Sequence, residues 1–293
     1  MEIGAGNGPR ALIRGLRYLP GELRPGARLA RLTTFRIGGP AWALFYPATT
    51  GALAEAVSLA RGLGIPWKLL GGGSNVLFPD AGFPGLIIST RFLDKTDFQD
   101  GLLLAEAGTP LPRLARQGLP ALAGIPGTLG GALAMNAGTR WGDIGRQVDW
   151  VEVMCPDGEL RRLSREGCGF SYRDSRLRRL GLVVLRAGLS PQDAGPVPEL
   201  LARRAATQPL DLPSAGCVFR NPAQAPAGWL IDKAGLKGAR SGDAMVSPRH
   251  ANFIVNLGRA SAQDVLSLVD RIRARVYRIF KVWLELELEV VTP

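Results

Sequence analysis

Three glycine-rich runs constrain this chain more than any other feature. They are Thr34-Phe35-Arg36-Ile37-Gly38-Gly39-Pro40, Gly71-Gly72-Gly73-Ser74-Asn75, and Gly124-Ile125-Pro126-Gly127-Thr128-Leu129-Gly130-Gly131-Ala132. The last continues to Met135-Asn136-Ala137-Gly138. Successive glycines free the backbone for positive φ and remove side chains, so amide N–H groups can converge on an anion. In the third run Pro and Gly set a tight turn, and helix-forming residues follow at once. A pyrophosphate at that helix N-terminus would meet free donors and the positive end of the dipole. Neither of the last two runs is a nucleotide P-loop, because no Gly-Lys-Ser/Thr follows. Neither has the G-x-G-x-x-G fingerprint in a strand–helix setting with a later acidic residue. Taken alone, each run reads as a structural turn. Three of them beside an arginine excess point to bound phosphate.

That excess is large. Thirty-six basic residues against 25 acidic ones give +11, and only Lys68, Lys95, Lys233, Lys237 and Lys281 are lysines. The rest are arginines, whose planar fork suits phosphate and carboxylate. An anionic partner is favoured (nucleic acid, acidic lipid or a phosphorylated small molecule), although a GC-rich genome produces the same bias. Cys155, Cys168 and Cys217 are too far apart for a disulfide framework or a zinc knuckle. His250 is the sole histidine, so histidine-rich metal sites are excluded and no metal is expected. No stretch reaches the ~18 apolar residues of a membrane span. Arg14 and Arg17 interrupt the one apolar region near the N-terminus, so no secretory signal is expected and a cytoplasmic location is the default.

The length suggests two or three domains at roughly 150 residues each. Residues 1 to about 30, rich in Gly, Pro and Arg, read as a loose arm with one short helix around Ala11–Leu19. Thr49 and Thr50 cap a helix over Ala52–Arg61, ended by Gly62 and Gly64, and a strand follows at Trp67–Leu70. Short strands are expected at Gly85–Ser89, Leu102–Ala107, Val148–Met154, Leu160–Leu163 and Leu182–Ala187, with a hairpin turn at Pro156-Asp157-Gly158. Helices are expected near Leu111–Gln117 and Gly131–Ala134, over Glu199–Thr207 after a Pro-rich joint, and over Ser261–Ile279. Leu284, Leu286 and Leu288 alternate with Glu285, Glu287 and Glu289 at strand period. The fold class is mixed α+β.

Four more clusters carry chemistry. Pro213-Ser214-Ala215-Gly216-Cys217-Val218-Phe219-Arg220-Asn221-Pro222 holds a cysteine that could be a proton donor, a nucleophile or buried filler. From chemistry alone filler is the better reading, since free cysteines are commonly inert core residues. Ser171-Tyr172-Arg173-Asp174-Ser175 reads as a polar turn, and Glu289 as part of a solvated strand edge. The last cluster pairs Leu230-Ile231-Asp232-Lys233-Ala234-Gly235-Leu236-Lys237-Gly238 with His250-Ala251-Asn252-Phe253-Ile254-Val255-Asn256.

In order and spacing these clusters resemble the UDP-N-acetylenolpyruvoylglucosamine reductase family, from about Leu32 to Val290. The motifs that carry the likeness are T-T-F-R-I-G-G, G-G-G-S-N, G-I-P-G-T-L-G-G-A with M-N-A-G, Y-R-D-S, P-S-A-G-C-V-F-R-N-P, G-L-K-G, H-A-N-F-I-V-N and L-x-x-E-V. The Gln208-Pro209 version is similar to the branch lacking an extra tyrosine-bearing substrate loop. The resemblance implies an FAD-binding domain of the vanillyl-alcohol-oxidase (PCMH) type and a smaller α+β substrate-binding domain. It implies a flexible arm at 1–30, a first FAD subdomain at 31–66 with 282–293, a second at 67–200, and a substrate domain at 201–281.

The same resemblance implies NADPH-dependent, FAD-mediated reduction of an enolpyruvyl nucleotide sugar to UDP-N-acetylmuramate, for cell-wall synthesis, cell shape and division. FAD, held non-covalently, would be bound by Arg36, Gly71, Gly72, Gly73, Ser74, Asn75, Gly124, Pro126, Gly127, Thr128, Gly130, Gly131 and Ala132. Arg173 and Glu289 match the positions that polarise the substrate carboxylate and stabilise the intermediate. Cys217 stands at the general-acid position, where serine is usual. Tyr172, Arg220, Asn221, Lys237 and Asn252 would touch the substrate. A glutamate beside a carboxylate helps only if it is protonated or shares a proton.

Three departures stand out: Cys217 for serine, Arg220 for the lysine before Asn-Pro, and Thr207 for the lysine before Gln-Pro. The third removes a cation aimed at the nucleotide diphosphate. A monomer acting on small molecules, without nucleic acid or membrane, is expected. The alternatives are another FAD oxidoreductase on the same fold and a basic nucleic-acid-binding protein, the latter suggested only by charge.

Overall fold

The computed structural model describes residues 8–139, 141–192 and 197–292. Helices and strands interleave along the chain, as the mixed α+β reading requires. Two compact units divide it, each assembled from separate stretches. Unit 1 takes the chain up to Ala27, then Ala41–Gly72 and Pro84–Leu201; unit 2 takes Arg28–Pro40, Gly73–Phe83 and the chain from Ala202 on. Among the described residues no helix is long and apolar enough to cross a membrane.

Unit 1 begins with a four-stranded sheet in the order β1-β2-β5-β3. Its strands are β1 (Gly21–Pro25), β2 (Ala41–Pro47), β3 (Trp67–Leu70) and β5 (Phe83–Ser89). β1 is antiparallel to β2, and β3 is parallel to β5. The consecutive apolar residues Ala43, Leu44, Phe45 and Tyr46 are all buried, so both faces of β2 are covered. One cover is α2 (Thr50–Gly62), whose N-cap Thr49 accepts a hydrogen bond from the Ala52 N–H at 3.1 Å. It buries Leu53, Ala56, Val57 and Ala60 at helical spacing. Leu12 and Leu16 of α1 (Gly8–Leu16), one turn apart, enter the same core.

The second sheet of unit 1 is antiparallel, in the order β11-β10-β12-β7-β6. It comprises β6 (Thr96–Gln99), β7 (Leu102–Glu106), β10 (Val148–Met154), β11 (Leu160–Ser164) and β12 (Val183–Leu189). Leu103, Ala105, Val151, Val153 and Ala187 share a core with residues of α3 (Leu111–Arg116), α4 (Leu129–Met135) and α5 (Arg176–Arg179). A small hairpin of β8 (Gly138–Thr139) and β9 (Gly142–Asp143) follows α4.

The boundary between units falls inside α6 (Val197–Thr207). Unit 2 holds a sheet in the order β13-β16-β15-β14, from β13 (Ser214–Cys217), β14 (Arg240–Ser241), β15 (Ala244–Val246) and β16 (Phe253–Asn256). It also holds α7 (Ala227–Lys233) and α8 (Ala262–Phe280). α8 starts at a capping box: Ser261 Oγ accepts from the Asp264 N–H at 3.0 Å, and the Asp264 carboxylate accepts from the Ser261 N–H at 2.9 Å. Its inward stripe (Val265, Leu268, Val269, Ile272, Val276) packs in one core with Phe35, Leu77, Phe219 and Ile254. Lastly, β17 (Glu289–Val290) pairs in parallel with β4 (Val76–Leu77).

Two expectations change. The flexible arm 1–30 falls partly on residues 1–7, outside the described residues, but from Gly8 on it is built structure. Its helix lies at Gly8–Leu16 rather than Ala11–Leu19, and Gly21–Pro25 is a sheet-edge strand. Leu12 and Leu16 are 0% and 1% exposed, and burial of that apolar pair is what holds the segment. The C-terminal strand pairs with residues 76–77, and both lie in unit 2 with Arg28–Pro40. Residues 284–288 are not a regular strand; Leu286 makes one isolated bridge, to Phe219. The alternation survives as burial of Leu284 and Leu288.

Candidate active site

In unit 1 the second and third glycine runs meet. A Cβ on Gly72 would lie 2.7 Å from the Gly127 Cα, and one on Gly71 would lie 2.2 Å from Thr128 Oγ1. Backbone approaches backbone there, so at position 72 only glycine fits. Thr128 is the N-cap residue of α4 but makes no side-chain cap, and its Oγ1 is buried without a partner. The expected set of free donors at this helix start is smaller than foreseen. The Leu129 N–H donates to Thr109 O at 2.9 Å and the Gly130 N–H to Ala107 O at 2.8 Å. Gly130 is therefore a packing glycine, its would-be Cβ 3.3 Å from Ala107. Gly131 differs: it is exposed, and a Cβ there would meet nothing within 4 Å. Gly124 is half-buried and Pro126 exposed, both in the turn before α4, while Ala132 is buried inside it.

The other end of α4 orients Arg173. Asn136, left-handed at φ +44, ends the helix and is 4% exposed. Its Nδ2 donates to Ser171 O at 2.9 Å, and its Oδ1 accepts from the Gly145 N–H at 3.0 Å. Ser175 Oγ donates to Ala134 O at 2.8 Å. The 171–175 turn is thus bound to the M-N-A-G segment, and Arg173 Nη2 donates to Gly138 O at 2.9 Å. Arg173 itself has φ +55, which costs an L-residue on the order of 1–2 kcal/mol. Such outliers cluster at functional sites. Tyr172 beside it is 56% exposed, its ring 5.3 Å from the Arg173 guanidinium carbon.

In unit 2, Gly73 has φ +61 and a would-be Cβ 2.1 Å from Leu32 O. Thr34 binds this turn: its N–H donates to Gly73 O at 3.0 Å and its Oγ1 to Ser214 O at 2.7 Å. Arg36, the second left-handed arginine at φ +57, is exposed between the buried residues Phe35 and Ile37. Ser74 is half-buried. Cys217 is the partly exposed thiol of the three, at the end of β13; Cys155 and Cys168 are buried. Burial pushes the Cys168 thiol up to about 11. Arg204 on α6 is an electrostatic neighbour of Cys217: burial lowers its guanidinium and the charge of Cys217 opposes that shift. Among the described residues its buried Nε has no hydrogen-bond partner.

The C-terminal segment runs beside Cys217. The Arg220 N–H donates to Glu285 O at 2.9 Å, and the Glu287 N–H to Val218 O at 2.9 Å. On its other edge, Asn75 Nδ2 donates to Glu287 O at 3.0 Å and the Glu289 N–H to Asn75 O at 3.1 Å. Glu287, which was not singled out from the sequence, therefore lies against the residue after Cys217. Glu289 lies two residues further along, on β17, which pairs with β4.

The second-tier residues separate. Asn252 is 2% exposed and clamps Phe219 with both side-chain atoms: Oδ1 accepts from the Phe219 N–H at 3.0 Å, and Nδ2 donates to Phe219 O at 2.8 Å. These bonds make Asn252 part of the scaffold around Phe219. Asn221 is exposed, and its Oδ1 accepts from the Ala227 N–H at the start of α7. Lys237 is exposed and ion-paired with Asp232 at 2.8 Å; half-buried Arg220 lies 4.0 Å from the Glu285 carboxylate.

Comparison with known proteins decides the family. Residues 41–164 match the FAD binding domain family, and residues 208–291 match the UDP-N-acetylenolpyruvoylglucosamine reductase C-terminal domain. The reductase of Moorella thermoacetica is 43% identical over 94% of this chain and 98% of its own length. The chain belongs to the UDP-N-acetylenolpyruvoylglucosamine reductase family. Reductase 2 of Symbiobacterium thermophilum is 42% identical, over 96% of this chain and 94% of its own. The crystal structure of the Thermus caldophilus reductase superposes with a TM-score of 0.78 at 38% identity, covering 94% of this chain and all of that one. The protein is thus an FAD-dependent oxidoreductase of peptidoglycan precursor synthesis, with the PCMH-type FAD domain and smaller C-terminal domain expected.

The residues present fit FAD. The Gly72–Gly127 approach, the partnerless buried Thr128 Oγ1 and the open face at Gly131 supply a close backbone surface, a hydroxyl and room for a ligand. Sequence reasoning missed three residues of the site's frame: Asn136, Arg204 and Glu287. Asn136 had a usable signal, an asparagine at a helix end, where left-handed backbone is common.

Proposed function

We propose that this protein reduces UDP-N-acetylglucosamine enolpyruvate to UDP-N-acetylmuramate, with NADPH as electron donor, working as a cytoplasmic monomer. The observation that supports the reading is the bond from the Glu287 N–H to Val218 O, which sets a carboxylate-bearing segment against the residue after Cys217. Bound FAD supplies the relay of a hydride equivalent from NADPH to the substrate double bond. The chain's own residues then handle charge and one proton. Hydride arrival at the β-carbon moves the π electrons toward the carboxylate, as an enediolate. Arg173, whose Nη2 donates to the Gly138 carbonyl, is the cation we assign to stabilise that charge. Cys217 gives its thiol proton to the α-carbon, and the thiolate recovers a proton from water. An unperturbed thiol has a pKa of about 8.5, well below an alcohol, so cysteine can replace serine in this task.

A glutamate that shares its proton with the enediolate assists, a task that an amide in its place cannot perform. Position favours Glu287 over the Glu289 expected from the L-x-x-E-V motif. At about 3.3 Å per residue, two residues carry Glu289 roughly 7 Å further along the chain. Tyr172, Arg220 and Lys237 are assigned to the nucleotide end, and Arg36 with the glycines of the second and third runs to FAD. Stopped-flow absorbance on the holoenzyme separates the half-reactions. Arg173→Ala, Cys217→Ala and Glu287→Gln should keep flavin reduction by NADPH and slow reoxidation by substrate ~10²-fold or more, the usual scale for oxyanion-stabilising groups. Equal losses in both half-reactions would refute these roles.

A further inference from the structure

Asn75 belongs to the G-G-G-S-N run, and its position there suggests a cofactor contact. Its hydrogen bonds point elsewhere. β4 begins at Val76, and beyond it the parallel ladder with the C-terminal segment continues: the Val291 N–H donates to Leu77 O at 2.9 Å and the Glu289 N–H to Asn75 O at 3.1 Å. One step further the backbone turns away into Gly73, which is left-handed at φ +61. The Glu287 carbonyl is then met by the Asn75 side chain, Nδ2 to O at 3.0 Å. The amide extends the ladder by one rung past the end of β4. On the opposite edge the Glu287 N–H is held by Val218 O. Glu287 is thus pinned on both edges, once by the residue after Cys217 and once by Asn75.

We propose that Asn75 is a positioning residue for the proton-transfer half of the reaction, fixing the Glu287 backbone so that its carboxyl holds one register beside Cys217. The assignment rests on the reading of Glu287 given above. It is specific to a donor. Alanine deletes the rung, and aspartate, of the same size, sets a negative oxygen against the Glu287 carbonyl and does worse. A cofactor ligand would show the reverse emphasis, with FAD affinity changing first.

The experiment compares Asn75→Ala, Asn75→Asp and Glu287→Gln holoenzymes by three readouts: FAD dissociation by fluorescence, the two half-reactions by stopped flow, and amide hydrogen exchange over residues 285–291. For Asn75→Ala we expect FAD affinity within about threefold of wild type. Exchange at Glu287–Glu289 should be faster, and substrate-driven reoxidation slower by tenfold or more through kcat rather than KM. Asn75→Asp should be slower again. A tenfold loss of FAD affinity with unchanged exchange at 285–291 would overturn the proposal, and so would wild-type reoxidation in Asn75→Ala. If Glu287→Gln alone turns over normally while Asn75→Ala is slow and exchanges fast, the pin stands and the role of Glu287 falls.

Discussion

Replacing Asn252 by alanine removes two hydrogen bonds at once and leaves both backbone groups of Phe219 without those partners. Phe219 is 1% exposed and Asn252 2%, so water does not reach either group in the folded state. The bonds are short, 3.0 Å to Oδ1 and 2.8 Å from Nδ2. A buried group left unsatisfied costs about 1–3 kcal/mol, so two groups cost about 2–6 kcal/mol. For a domain of this size that lowers the melting temperature by on the order of 10 °C. Because Phe219 is two residues from Cys217, reoxidation by substrate should slow as well, through kcat. Urea denaturation followed by tryptophan fluorescence measures the first effect and stopped flow the second. Asn221→Ala is the control: its single bond to the Ala227 N–H lies at an exposed residue, and its removal should cost about 1 kcal/mol or less. If Asn252→Ala unfolds at the wild-type midpoint while KM for the nucleotide sugar rises tenfold, Asn252 is a substrate ligand and the clamp argument is wrong.

Three further outcomes are expected. Brief treatment of native protein with iodoacetamide near pH 8 should label Cys217 and spare Cys155 and Cys168, both buried, the latter with its thiol at about 11; mass spectrometry finding Cys168 labelled as fast would contradict the packing. Gly131→Ala should leave the apoprotein folded, since a Cβ there meets nothing within 4 Å, yet weaken FAD binding, whereas Gly72→Ala should destabilise the fold itself through its 2.7 Å approach to Gly127; calorimetry and flavin titration separate the two, and unchanged FAD affinity in Gly131→Ala would remove that residue from the cofactor site. Burial lowers the His250 pKa, so below about 6.5 the unfolded chain takes up a proton that the folded one refuses. Stability from this group is complete above that pH and lost as pH falls through the depressed value; a urea midpoint that declines as steeply in His250→Gln as in wild type would assign the acid sensitivity to other groups.

What the sequence made legible follows a physical rule. The apposed glycine runs were readable because a Cβ is impossible where backbones touch, and chemistry of that kind leaves only one residue type. α2 and α8 were readable because Thr49 and Ser261 cap amphipathic stripes, both local signals. The N-terminal segment was misread because Gly21 and Pro25 depress strand propensity in β1, an edge strand held by its pairing with β2 rather than by its own composition. The side-chain bonds of Asn252 and Asn75 were illegible for a different reason. An asparagine in a functional motif looks the same whether its amide faces a ligand or the backbone, and only the partners 33 and 212 residues away reveal which.

The three glutamates near the C-terminus show the limit most clearly. Alternation at period two assigns Glu285, Glu287 and Glu289 to one face, but it says nothing about position along that face. A motif of the form L-x-x-E-V selects Glu289, since Leu286 and Val290 flank it at the required spacing. Backbone hydrogen bonds measure position directly. They give Glu285 to Arg220, Glu287 to Val218 and Glu289 to Asn75, in steps of two residues along one extended segment. Of these partners Val218 is the one adjacent in sequence to Cys217, the proton donor we propose, and a group that shares a proton must come within hydrogen-bond reach. The Glu287→Gln and Glu289→Gln pair tests the argument without touching any backbone bond. Loss of substrate-driven reoxidation should follow the first and not the second. The opposite result would mean that the carboxyl reaches the reaction from β17, and that the register of the backbone is no guide to the reach of the side chain.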